Sequence, residues 1–165
     1  MDNKCREEVR VGIADAAIVE APTNIITIGL GSCVGILIYD REKKSTALIH
    51  IMLPDSTCFK GVTNPYKFAN LAIPKIVNTM IANGSKRENL VSKICGGAAM
   101  FKFPQSSANS EIGMRNGEAV KVALKKEQIS VIAEDLGGDK GRSMFVDSNT
   151  GIVKIRVVGN GIKEI

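Results

Sequence analysis

The sequence predicts an α/β or α+β domain with many antiparallel strands and two main helices. Short β-branched apolar runs bounded by turn residues are typical of strands, and two longer segments carry apolar residues at helical spacing. The 165 residues, 44 % hydrophobic and 24 % charged, are typical of a globular chain that can bury a core of its own. No repeat or linker divides the chain, so residues 1–165 are predicted to form one domain.

The first half of the chain predicts strands. Residues 8–14 alternate between apolar and polar side chains, which indicates a half-buried strand, and a turn follows at residues 21–24. The segment 24–40 contains two β-branched apolar runs separated by a glycine-containing kink, which predicts a bent strand. Residues 46–53 predict its antiparallel hairpin partner, because a polar reversal separates the two segments.

Two helices are predicted between the remaining strands. Asn64 and Pro65 have the residue types of a helix start, apolar spacing continues to Asn83 and Gly84, and Pro74 should kink or divide this helix. A second helix follows residue 110. Its inward-facing residues are predicted to be Met114, Val120, Ala123 and Leu124.

Short strands complete the predicted sheet. Residues 90–95 and 129–133 have strand composition, and residues 143–146 and 152–158 predict a final hairpin. Three glycines within residues 136–141 indicate a loop or tight turn before that hairpin.

Composition excludes several classes of function. The net charge of +5 is compatible with an acidic partner, but the basic residues are scattered and aromatics are only 4 %, so nucleic acid is not expected. No apolar run is long enough to span a membrane, and the charged first residues do not lead into a signal peptide. We therefore expect a cytoplasmic protein without membrane insertion. Nucleotide-binding glycine motifs are missing, and no cofactor is expected.

The cysteines and the single histidine limit the possible chemistry. The four cysteines are far apart, which predicts free thiols in a reducing compartment rather than a disulfide framework. Without paired ligand spacing no metal site is expected, although a zinc site can be drawn. Its ligands would be Cys33, Cys58, Cys95 and His50.

Cys33 and His50 are the best candidates for a nucleophile and its base. Cys33 lies on the glycine-rich kink, where the backbone at Gly31, Ser32 and Cys33 can support an oxyanion, and His50 lies on the opposite arm of the predicted hairpin. Thr27 is a candidate to orient the imidazole. From the residues alone, the alternatives are that Cys33 is a buried structural thiol, His50 a core histidine and Thr27 an ordinary strand residue.

Five segments of the chain follow one another in this order: Gly29-Leu-Gly-Ser-Cys33-Val, His50-x-Met-Leu-Pro54, Gly96-Gly97-Ala-x-Met100-Phe101, Ile112-Gly113-x-Arg115-Asn116, and Asp135-Leu-Gly-Gly138 with Gly141-Arg142. With these segments the chain resembles, over roughly residues 9–158, the chemoreceptor glutamine deamidase (CheD) family of bacterial and archaeal chemotaxis.

The resemblance implies an α/β sandwich of mainly antiparallel sheet with two main helices, similar to the catalytic domain of cytotoxic necrotizing factor. It implies a catalytic Cys33, His50 and Thr27, which hydrolyse selected receptor glutamines to glutamate through a thioester. Regulation of chemotaxis, some receptor methyl-ester hydrolysis and binding of the phosphatase CheC are also implied.

Other assignments remain open. Gly96, Gly97, Met100 and Phe101 are candidates to receive the target glutamine or CheC, or else form a tight turn with two core side chains. A non-catalytic module that binds receptors and CheC is the competing function, and a papain-like protease or transglutaminase shares the Cys-His chemistry. Cys58 can be a spare surface thiol or a site of oxidation.

Overall fold

A computed structural model of the chain describes residues 7–100 and 111–165. Two five-stranded sheets and two helices form three layers. The strands are β1 (Glu8–Val11), β2 (Asp15–Glu20), β3 (Asn24–Leu30), β4 (Val34–Asp40), β5 (Ser45–Ile51), β6 (Leu90–Gly96), β7 (Ser130–Leu136), β8 (Arg142–Val146), β9 (Val153–Val157) and β10 (Gly161–Glu164). The helices are α1 (Ala69–Ala82) and α2 (Ile112–Lys126).

The two sheets pack face to face, and the helices cover one of them. Sheet 1 has the strand order β1-β3-β8-β9-β10, and sheet 2 has the order β2-β5-β4-β6-β7. Every residue of β4 and β5 is buried, because these central strands have sheet 1 on one face and both helices on the other. Leu37 and Leu48 face the core between the sheets, and Ile36 and Ile49 face the helices. The predicted α/β sandwich is therefore confirmed.

The chain crosses repeatedly between the two sheets. β1 and β3 belong to sheet 1, whereas β2, β4 and β5 belong to sheet 2. The predicted bend within residues 24–40 is therefore a crossing: β3 ends at Leu30, and β4 begins at Val34 in the other sheet. The hairpin of β4 and β5 is antiparallel, as predicted. Residues 31–33 thus form a short loop, here called the cysteine loop, between the two layers.

The helices agree with the sequence pattern except in three details. A short 3₁₀ turn at Pro65–Lys67, capped by the Asn64 side chain, precedes α1. Pro74 lies inside α1 without dividing it, because one apolar face of this helix is buried along its whole length. In α2 three of the predicted inward residues are buried, but Met114 is 61 % exposed and that prediction was wrong. Met114 lies in the first turn of α2 and faces solvent.

Two edge strands and two parallel pairings were not predicted. β2 and β10 have no clear alternation of apolar and polar residues, and both lie at the edge of a sheet. β1 pairs with β3 and β6 pairs with β7 in parallel, whereas the other pairs are antiparallel. Neither helix in the part of the chain described is long and apolar enough to cross a bilayer.

Candidate active site

Three candidate residues lie in the region where the chain crosses between the sheets, and two of them are in contact. Thr27 extends from β3 in sheet 1, His50 from β5 in sheet 2, and Cys33 lies on the cysteine loop that connects the sheets. Thr27 and His50 have no solvent exposure, and Cys33 is half-buried. The Thr27 Oγ1 atom lies 2.7 Å from His50 Nδ1, so a hydrogen bond joins the two layers.

The partners of Thr27 determine the tautomer of His50. Thr27 Oγ1 donates its single proton to the Val11 carbonyl oxygen, 2.8 Å away, because a carbonyl can only accept. The same oxygen must then accept from His50, which places a proton on Nδ1 and leaves the lone pair of a neutral ring on Nε2. Within residues 7–100 and 111–165, His50 Nε2 has no hydrogen-bond partner. This nitrogen is therefore available to accept a proton.

The strand register predicts that Cys33 lies diagonally across from His50, and no hydrogen bond joins the thiol to His50 Nε2 within the described residues. His50 is paired with Gly35 across β4 and β5, and Cys33 precedes Gly35 by two residues. Diagonal neighbours in such a ladder have Cα atoms about 7–8 Å apart, with long side chains still in reach. Cys33 also packs against the core between the sheets, which is the side that Leu48 and His50 face.

Glycine at position 35 leaves the space in which Thr27 meets His50. A Cβ atom on Gly35 would lie 3.0 Å from Leu30 Cδ1, 3.1 Å from Met144 Sδ and 3.4 Å from Thr27 Cγ2. A larger residue would therefore crowd Leu30 and Met144 and fill the space next to Thr27.

Burial keeps both the thiol and the imidazole neutral. It lowers the pKa of His50 to about 4, and it raises the pKa of Cys33, an effect that the backbone amide of Cys33 partly offsets. At neutral pH the free protein therefore holds a neutral thiol and a neutral imidazole. Such a pair can transfer a proton when a substrate is attacked, rather than resting as a thiolate–imidazolium ion pair.

All three carbonyl groups of the cysteine loop are hydrogen-bonded. The carbonyl of Gly31 accepts from the Ala98 amide at 2.8 Å, and the carbonyl of Cys33 accepts from the Gly97 amide at 2.8 Å. The Ser32 carbonyl accepts from Nδ2 of Asn116 at 2.9 Å. The loop backbone is thus held on its carbonyl side.

The amides of the same loop differ in availability. The Gly31 amide donates to the Gly29 carbonyl at 3.1 Å, so Gly31 supports the loop but does not offer a free donor. The amides of Ser32 and Cys33 reach no backbone carbonyl among the described residues. Of the three positions expected to support an oxyanion, these two have the amides available for it.

Gly96 and Gly97 contact the backbone of the cysteine loop at the Cys33 carbonyl. Both have positive φ angles, 119° and 63°, and a Cβ on Gly96 would collide with the Cys33 carbonyl. Met100 instead lies over the loop: its Cγ atom would be 2.9 Å from a Cβ on Gly31, and the side chain is 45 % exposed. The predicted residue Phe101 lies outside the described residues.

Two further polar residues support the site and were not assigned a role from the sequence. Asn116 is fully buried on α2, and its Nδ2 atom contacts the cysteine loop. Arg142 donates to the carbonyls of Gly96 and Gly137 at 3.1 and 2.7 Å, and its Nε atom lies 3.3 Å from Asp135 Oδ2. Both occur in the segments that carry the family resemblance, and Asn116 shares the buried face of α2, which the helical spacing indicates.

The other described cysteines are separate from this site chemistry. Cys95 is buried, and burial, followed by the nearby Asp135 carboxylate, raises its pKa to about 12. Cys58 is exposed on the loop after β5. No group of three or more His, Cys, Asp or Glu side chains in the described ranges could hold a metal ion, so the zinc arrangement drawn from Cys33, Cys58, Cys95 and His50 is not formed there.

The structure thus combines a half-buried thiol on a glycine loop with a buried imidazole that a hydroxyl orients, and cysteine-dependent acyl-transfer enzymes use these three kinds of group. A family model described as "CheD chemotactic sensory transduction" matches residues 52–157. The chain is also 55 % identical over 158 residues to the "Probable chemoreceptor glutamine deamidase CheD" of Clostridium botulinum strain Eklund 17B, covering 96 % of this chain and 98 % of that protein. The protein of the same name from strain Hall is 54 % identical over 159 residues, covering 96 % and 98 %. This chain therefore belongs to the CheD family.

Solved structures resemble the fold more weakly. The Bacillus licheniformis hypothetical protein YfiH has a TM-score of 0.44 and 13 % identity, with 71 % of this chain and 49 % of that chain covered. The Neisseria meningitidis protein NMB0706 has a TM-score of 0.49 and 11 % identity, with 81 % and 65 % covered.

Proposed function

We propose that this protein hydrolyses selected glutamine side chains on methyl-accepting chemotaxis receptors to glutamate, with release of ammonia. The relatives at 54–55 % identity are named chemoreceptor glutamine deamidases and are matched over nearly their whole length. The observation that carries the mechanism is the buried hydrogen bond between Thr27 and His50, which leaves His50 Nε2 without a partner among the described residues.

The first half of the reaction forms a thioester. His50 Nε2 accepts the proton of the Cys33 thiol as the sulfur attacks the carboxamide carbon of the target glutamine. The carbonyl oxygen gains a negative charge, which the amides of Ser32 and Cys33 stabilise. When the tetrahedral intermediate collapses, the C–N bond breaks and protonated His50 gives its proton to the leaving ammonia. The glutamyl group is then bound to Cys33 as a thioester.

The second half releases glutamate. A water molecule gives a proton to His50 Nε2 and attacks the thioester carbon, and the same amides stabilise the second oxyanion. The C–S bond breaks, the thiol of Cys33 recovers its proton from His50, and the carboxylate leaves. Glutamine and water are thereby converted to glutamate and ammonia without a net change in the enzyme.

Thr27 orients the imidazole in this mechanism. Its hydroxyl accepts from Nδ1–H and is itself held by the Val11 carbonyl, so the ring cannot easily turn or exchange tautomers. A neutral hydroxyl stabilises an imidazolium less than a carboxylate would. This agrees with the low pKa of His50 and with proton transfer that is confined to the reaction itself.

Met100 is the described residue best placed to contact the substrate. It lies over Gly31 at the edge of the cysteine loop and remains 45 % exposed. We propose that Met100 and Phe101 receive the receptor segment or the phosphatase CheC, and that Gly96 and Gly97 support them through the loop backbone. The substrate glutamines would lie on the cytoplasmic helices of the receptors.

A non-catalytic module that binds receptors and CheC is the second candidate. The raised pKa of Cys33 favours it, because a thiol that stays protonated is a weak nucleophile. Thiol labelling at neutral pH separates the two functions. Modification of Cys33 that is lost in His50→Gln supports the enzyme, and an inert Cys33 supports the module.

Mapping of receptor glutamines by mass spectrometry tests the proposed activity. Cytoplasmic fragments of receptors from the same organism are incubated with wild type or with Cys33→Ala, and their peptides are compared. Conversion of particular glutamines to glutamate by wild type alone is the expected result. Cleaved or cross-linked fragments would indicate a protease or a transglutaminase, and unchanged glutamines would refute the proposal.

A further inference from the structure

Asn116 connects the cysteine loop to the strand that carries His50. It is fully buried on α2, and its Nδ2 atom donates to the Ser32 carbonyl and to the Met52 carbonyl, both at 2.9 Å. Met52 follows the end of β5 directly, two residues after His50. Because both partners are carbonyls, the side-chain amide must present its nitrogen to them.

The contact with Ser32 fixes the direction of the Cys33 amide. The Ser32 carbonyl and the Cys33 N–H belong to one planar trans peptide, in which the two groups point in opposite directions. When Asn116 holds the carbonyl in the interior, the Cys33 N–H is aimed away from the interior. This amide reaches no backbone carbonyl within the residues described.

The other two anchors of the loop come from the backbone. The carbonyls of Gly31 and Cys33 accept from the amides of Ala98 and Gly97, whereas the Ser32 carbonyl accepts from a side chain. The orientation of the central peptide, and so of the Cys33 amide, therefore depends on one replaceable residue.

We propose that Asn116 is a positioning residue, which aims the Cys33 amide at the oxyanion and holds the cysteine loop in register with His50. This inference rests on the proposed deamidase function. Asn116 does not touch the substrate and acts through the peptide between Ser32 and Cys33. Its removal should therefore lower kcat much more than it raises KM.

Two variants test this role against a matched control. Asn116→Ala removes the Nδ2 donor. Asn116→Asp keeps the shape of the side chain but places a carboxyl group, in place of the amide donor, next to the two carbonyl oxygens. Ser92→Ala is the control, because Ser92 is also fully buried and donates to a carbonyl of β4, that of Leu37 at 2.7 Å, but far from the cysteine loop. Urea unfolding of all three variants measures the general structural effect.

Deamidation of the receptor fragment should fall about 10²-fold in kcat for the Asn116 variants, since small displacements of catalytic groups can cost that much. The Ser92 variant should keep wild-type kcat at a similar loss of stability. Wild-type kcat in a folded Asn116→Ala or Asn116→Asp, or an equal loss in Ser92→Ala, would overturn the inference.

A pair of small probes separates this inference from the proposed function. A glutamine-derived aldehyde forms a hemithioacetal with Cys33 and needs the oxyanion donors, whereas chloroacetamide alkylates the thiolate without them. Asn116→Ala should weaken aldehyde binding about 10²-fold and, after correction for the fraction of thiolate, leave alkylation unchanged. Wild type that binds the aldehyde but deamidates no receptor would refute the function alone. Equal aldehyde binding by wild type and variant would refute the role of Asn116.

Discussion

As the pH falls, the low pKa of His50 should destabilise the folded protein at pH values above those at which protonation of His50 lowers the activity. Burial lowers the pKa of His50 to about 4, compared with the ordinary value of 6.5 expected in the unfolded chain. Between these values the unfolded state binds a proton that the folded state does not, so stability falls as the pH falls through this window. The difference amounts to about 2 kcal/mol between pH 7 and pH 4.5, because one unit of pKa corresponds to about 1.4 kcal/mol.

The measurement is urea unfolding of wild type and of His50→Gln at several pH values from 7 to 4.5. Glutamine does not titrate, and it can still reach the Thr27 hydroxyl. Carboxylates that titrate over the same range contribute equally to both proteins. Wild type should therefore lose about 2 kcal/mol more than the variant, which is about 1 M in the urea midpoint for a slope near 2 kcal/mol per M.

Parallel stability profiles for the two proteins would refute this reasoning. They would mean that His50 takes up its proton as easily in the folded state as in the unfolded state. An imidazole buried between the two sheets, with Nδ1 bonded to Thr27, could not behave in that way. The geometry proposed for the site would then be wrong as well.

Three further predictions concern the site and its support. Thr27→Val removes the hydroxyl at nearly constant volume. The rate of deamidation should fall by less than in His50→Gln, where loss of the acid–base group should cost about 10²–10⁴-fold. A loss as complete as that of Cys33→Ala in the same assay would contradict an orienting role. The value of kcat/KM should stay level as the pH falls through 6.5 and decline only toward the pKa of His50, about 4. A decline centred near 6.5 in the pH profile would show that the base is exposed to solvent. Arg142→Met should destabilise the fold by about 3 kcal/mol in urea unfolding, since it leaves the mostly buried carboxylate of Asp135 with one partner fewer. Unchanged stability would show that the ion pair of Arg142 and Asp135 contributes little.

Local patterns in the sequence predicted much of the fold. Glycines, turn residues and β-branched runs located β3, β4 and β5, and helical spacing located both helices. The assignment of strands to two sheets was not predictable in this way, because pairing depends on contacts between residues far apart in the chain. The same holds for the parallel pairs of β1 with β3 and β6 with β7. Edge strands such as β10 carry too little apolar pattern to be recognised.

The candidate site was predicted only in part, because some of its contacts join residues that are far apart in the chain. Cys33 and His50 could be paired because they lie near each other on a local hairpin, and the sequence contains one histidine. The contact of Thr27 with His50 crosses from one sheet to the other, so the strand pattern offered Thr27 only as a candidate, which the family resemblance then favoured. Asn116 left a recognisable signal, since it is a polar residue at i and i+4 spacing from buried Val120 on the inner face of α2.

The candidate site depends on contacts between the two sheets. An imidazole enclosed on every side would be costly if its polar atoms were unpaired, and here the Val11–Thr27–His50 series satisfies one ring nitrogen. The other nitrogen, Nε2, has no hydrogen-bond partner among the described residues. Because Val11 and Thr27 lie in sheet 1 and His50 lies in sheet 2, any relative shift of the sheets breaks this series. The catalysis proposed for this site therefore requires that the two sheets keep their relative position, and the packing of the sandwich core provides that constraint.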